Sequence, residues 1–123
     1  MIPLPPKCRV FIFLAATDMR RGHDRLAAMV LEETKHSPLQ GGLFVFFSRK
    51  RDRVKLLYWD RDGYVLVYKR LEAGTFRVEE RQGIKEITGV DLKLLLNGMS
   101  LSRISLRKEA AQGVFKTTVA CAV

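Results

Sequence analysis

Residues 49–55, RKRDRVK, hold Arg49, Lys50, Arg51, Arg53 and Lys55 against one anion, Asp52. Like charges gathered at one turn repel and cost folding stability, a cost that a bound polyanion would offset. Arginine and lysine on a two-stranded ribbon can grip phosphates or read guanine edges in a DNA groove. The competing reading is a hydrophilic turn whose charge blunts a sheet edge against aggregation. Lys69 and Arg70 in the next β-rich run are second candidates for phosphate contact. Arg20 and Arg21 are third.

Aromatic residues flank the cluster. Tyr58 and Trp59 face opposite ways on a regular strand, so one could be exposed and stack on a base. Burial of both rings beneath helices is the alternative. The segment TDMRRGHDRL, residues 17–26, sets Arg20, Arg21 and Arg25 in the first turns of an expected helix, where free amides favour anions. Asp18 and Asp24 are placed to neutralise them as local ion pairs. His23 falls at an apolar position and reads as a core histidine.

A catalytic reading needs carboxylates that converge on magnesium. Asp52, Asp60 and Asp62 flank one strand, but they sit at turns, where aspartate serves local hydrogen bonding. The chain contains no P-loop, GxSxG or HExxH. Cys8, Cys121, His23 and His36 lie too far apart for zinc-ligand spacing. The two cysteines lack the pattern of a disulfide framework and read as reduced thiols, a bridge tying the two termini being the alternative. The expectation is a non-enzyme with no catalytic residue, metal or cofactor.

The elements must be built from 123 residues, enough for one core. Hydrophobic residues make up 47%, which excludes a disordered chain. Twenty-two Lys+Arg against thirteen Asp+Glu leave a net charge of +9, which points to acidic partners. The run VFIFLAA is short for a secretory signal and has prolines where a positive flank belongs. No run approaches the roughly 20 apolar residues of a membrane span. A soluble, cytoplasmic protein is expected.

Residues 1–8 are proline-rich and read as an extended lead-in. Residues 9–15, RVFIFLA, predict a buried strand. Thr17 and Asp18 are N-cap types before a helix to about Lys35, with Met19, His23, Leu26, Met29 and Val30 on its apolar face. Four β-rich runs follow, LFVFF, VKLLYWD, YVLVYKR and FRVEE, with turn signals at Asp62-Gly63 and Ala73-Gly74. Thr88 is a candidate N-cap for VDLKLLLNGM, and Gly98 its candidate stop. The expected class is α+β: an antiparallel β-meander of about four to five strands with two main α-helices packed on it. Residues 1–101 are expected to form a single domain, and 102–123 a C-terminal tail that reads either as a short helix and strand or as a loose segment.

Thr17–Leu26, Leu43–Phe76 and the later LKLLLNGM resemble one transposon family in order and content. They are similar to the TnpB-type accessory protein, the second open reading frame product, of the bacterial insertion-sequence-sixty-six family. The similarity covers about Pro3–Met99. Arg51 stands where the family has a glycine at the hairpin tip, and His23 and Arg25 where it has an aromatic and a small residue. The resemblance implies a protein encoded beside a DDE-type transposase and needed for efficient transposition, without the transposase catalytic domain. The expected function is therefore a mobile-element accessory protein that binds transposon DNA, or a transposase–DNA complex, through its basic hairpin. The alternative is an adaptor that recruits the transposase without touching DNA.

Overall fold

The computed structural model describes residues 8–105. Strand β1 (Val10–Phe13) leads through helix α1 (His23–Thr34) and a 3₁₀ turn (Pro38–Gln40) into β2 (Leu43–Phe47). Strands β3 (Arg53–Asp60) and β4 (Gly63–Arg70) follow as antiparallel hairpin partners. Strand β5 (Ile84–Ile87) then precedes helix α2 (Gly89–Leu96), and residues 101–105 are again helical.

The sheet order is β4-β3-β2-β1-β5. β1 pairs parallel with β2 and antiparallel with β5, so the sheet is mixed and the expected all-antiparallel meander is corrected. The physical reason is the helical crossover between β1 and β2, which returns the chain in the same direction. The expected strand FRVEE is also corrected. Residues 75–80 stay outside the sheet, and the fifth strand is IKEI instead. Phe76 and Val78 still point inward, so the alternation there reflects burial rather than strand pairing.

Alternation on the strands gives the sheet two apolar faces. Val10, Ile12, Val45, Phe47, Val54 and Leu56 pack with Leu92 and Leu95 of α2 and with Leu101 and Ile104. Phe13, Phe44, Phe46 and Leu57 pack with Leu26 and Val30 of α1. Helices therefore cover both faces, as the apolar strand centres require. Packed structure runs past residue 101, since Ile104 is fully buried. The remainder of the expected tail, 106–123, lies outside the described residues, as do Cys121 and residues 1–7. Cys8 is buried and disulfide-bonded, which corrects its reading as a free thiol.

α1 begins later than Thr17 and Asp18 suggest. Its N-cap is Gly22, and His23 is exposed at its first position rather than in the core. Asp18 instead closes a turn ahead of the helix, accepting from the Arg20 amide at 2.9 Å while its carbonyl accepts from Arg21 at 3.1 Å. α2 begins as expected. Thr88 and Asp91 form a reciprocal capping box, which satisfies two amides that the helix itself leaves free. Beyond the C-cap Asn97, Gly98 stops the helix with a φ of 110°, which allows paired bonds from Gly98 to the Leu95 carbonyl and from Met99 to that of Leu94.

Candidate nucleic-acid interface

The β2–β3 connection is a braced corner rather than a free ribbon. The Ser48 amide donates to the Arg53 carbonyl at 3.0 Å, and the Arg51 amide to that of Ser48 at 3.0 Å. The Ser48 hydroxyl donates to Asp52 and accepts from the Arg53 amide, both at 3.1 Å. From outside, Leu71 donates to the Asp52 carbonyl and Phe76 to that of Arg51, each at 2.7 Å. The chain after β4 thus lies against the turn. A ribbon held on its flank is poorly suited to entering a DNA groove.

The five cations of the cluster do not share one fate. Arg49 and Lys50 are exposed and Arg53 is half-buried, and none makes an ion pair among the described residues. Arg51 is buried, which corrects its expected projection into water. Its Nη2 donates to the Leu14 carbonyl at 2.6 Å, and its guanidinium lies 5.9 Å from the centre of the Phe47 ring. Burial pulls its pKa below the ordinary arginine value, and the charge of Glu80 partly opposes that shift. Lys55 is also buried, with Nζ donating to the carbonyls of Met19 at 2.7 Å and Arg21 at 2.8 Å. Both are structural cations.

The two bonds of Lys55 bring the β1–α1 loop over the end of the hairpin. Ala16–Arg21, Ser48–Lys50, Asp52, Arg53 and Tyr68 line a groove of about 850 Å³. Arg20, Arg21, Arg49, Lys50 and Arg53 line it together with Asp18 and Asp52. First and third candidates from the sequence therefore share one concave surface. Arg20 is held by Asp18 at 2.7 Å, and this pairing holds the Asp18 carboxyl well below the usual range. Arg21 is half-buried, with Nη1 donating to the Met29 sulfur at 2.9 Å.

Lys69 and Arg70 are separated by strand alternation. Arg70 pairs directly with Arg53 on the α1 side of the sheet, whereas Lys69 pairs with Val54 on the α2 side. Like charges directly opposite one another weaken an antiparallel pair, and Glu72 relieves this one only from the side of Arg70, at 3.2 Å. The flanking aromatics also part. Trp59 packs edge-on against Tyr64, with centroids 5.0 Å apart, at the far end of the hairpin. Tyr58 is half-buried against the α2-side core. Sequence reasoning overlooked Tyr68, which is 51% exposed in the groove. Its signal was position: it shares a face with Leu66 but lies at the strand end.

Carboxylates do not converge here. Asp52 precedes β3 and Asp60 is the last of its eight residues, so a strand rise places them about 25 Å apart. No group of three His, Cys, Asp or Glu residues suited to a metal occurs among the described residues. Among those residues no helix is long and apolar enough to cross a membrane.

Comparison with known proteins agrees with the resemblance read from the motifs. Two proteins of Sinorhizobium fredii (strain NBRC 101917 / NGR234) are similar along most of their length. The uncharacterized protein y4hO is 38% identical over 100 residues, covering 80% of this chain and 87% of its own. The uncharacterized protein y4jC is 31% identical over 97 residues, covering 78% and 83%. No solved structure matches. The family described as IS66 Orf2 like protein matches residues 8–106, the span of the packed sheet and helices, and the chain belongs to that family.

Proposed function

We propose that this protein is a non-catalytic accessory factor in transposition that holds DNA, or a transposase–DNA complex, in the basic groove. One observation carries the reading. Two cation-bearing segments, distant in sequence, meet on one concave surface where Arg49, Lys50 and Arg53 have no carboxylate partner among the described residues. Family membership supports the transposition context, and the net charge of +9 favours a polyanion. The partners are the element's DNA ends and its DDE-type transposase, met in the cytoplasm.

The test is a salt titration of binding to transposon-end duplex and to random duplex of equal length. Replacing Arg20, Arg49, Lys50 and Arg53 together with glutamine lowers the log–log slope by about 3–4 if all four touch phosphate. An unchanged slope removes the groove from the mechanism.

The adaptor reading is favoured by β4, an eight-residue strand at the end of the sheet order. Its outer side could receive a strand from the transposase. Nuclease-resistant capture of purified transposase, with no shift of DNA, supports that reading over the first.

A further inference from the structure

The groove contains an aromatic surface as well as charge. Tyr68 lies on β4, directly opposite Lys55, with Arg53 on the diagonal and Arg70 next along its own face. The Lys55 ammonium, fixed by the Met19 and Arg21 carbonyls, sits 4.9 Å from the Tyr68 ring centroid. A cation over one face steadies the ring, while half of the side chain stays open to solvent. An exposed aromatic among arginines is the arrangement by which nucleic-acid channels hold an unpaired base.

We propose that the groove takes single-stranded DNA, with one base stacked on Tyr68 and the adjoining phosphates on Arg53, Arg49, Lys50 and Arg20. This rests on the DNA-binding reading above and adds a strand preference to it. In a duplex both faces of a base are covered by its neighbours, so a protein aromatic can be used only by a base free of the stack. Every base has such a face, so the contact tolerates sequence, and the surrounding cations make it salt-dependent.

The test uses the whole protein with a labelled oligo-dT of about 15 nucleotides and a mixed-sequence duplex of equal length. Tyr68→Ala weakens oligo-dT binding by about 5- to 100-fold and leaves duplex binding within about twofold. Tyr68→Phe keeps both the stacking surface and the affinity, and the retained duplex binding of Tyr68→Ala guards against a folding defect in that variant. Equal losses on both DNAs, an unaffected oligo-dT affinity, or a loss in Tyr68→Phe matching that in Tyr68→Ala overturns the proposal. A wild-type protein that binds neither DNA removes the DNA-binding reading itself. Salt-dependent binding that ignores Tyr68→Ala removes only the stacking.

Discussion

Lys55 Nζ lies 2.7 Å from the carbonyl oxygen of Met19, so a buried ammonium on β3 fixes the loop that precedes α1. The same ammonium reaches the Arg21 carbonyl, and Arg20 is held between the two anchored residues. Lys55→Met leaves both carbonyls without their charged donor and costs about 1–3 kcal/mol in urea unfolding. It also weakens DNA binding although Lys55 touches no phosphate, because Arg20 loses its station. Lys50→Met, at an exposed site, changes stability by no more than about 0.5 kcal/mol.

Arg51 has a φ of 60°, a left-handed conformation that suits glycine. Arg51→Ala loses the bond to Leu14 and keeps the strain, whereas Arg51→Gly loses the bond and releases the strain. The glycine variant is therefore more stable than the alanine variant by about 1 kcal/mol, as thermal unfolding can read. Neither substitution alters the salt slope of DNA binding, because the guanidinium is buried away from any phosphate.

These two cations show where reading from sequence succeeds and where it stops. Thr88 and Gly98 were readable because caps act through a few neighbouring atoms. β2, β3 and β4 were readable from alternation and short turns. IKEI was not, since Lys85 and Glu86 disfavour a strand in isolation and only pairing with β1 makes one. Charge counting could not tell Arg49 from Arg51, because direction at a turn depends on one φ angle. Lys55 carried a usable signal in its parity with Leu57, which places it on the face that α1 covers.

Gly42 precedes β2 with a φ of 102°, and a Cβ there would lie 3.1 Å from the Phe44 ring and 3.3 Å from that of Phe11. Those rings are stacked with centroids 5.4 Å apart, and both would have to shift by a few tenths of an ångström. Gly42→Ala combines backbone strain with a clash and destabilises by about 2–4 kcal/mol in denaturant unfolding. Gly63→Ala meets nothing within 4 Å and costs far less.

In the proposed DNA groove, the Asp18 pairing decides how much of Arg20 is on offer. Hydrogen bonds from Arg20 lower the folded-state pKa of Asp18, so this pairing is complete above the ordinary carboxylate value and is lost as pH falls through the depressed one. DNA affinity therefore shows no titration from Asp18 between about pH 5 and pH 8. Asp18→Asn frees Arg20 and tightens binding by about two- to fivefold at low salt, a gain that shrinks as ionic strength rises.

The position of β1 between β2 and β5 sets an order of events on the ribosome. Val10 emerges before both of its neighbours, Leu43 on one side and Ile87 on the other. The nascent chain can lay down β2 through β4 while one flank of β1 still waits for residues 84–87. Such distant closure slows folding. A ribosome-stalled chain ending before residue 84 would present β1 as a raw margin, open to another copy or to a chaperone.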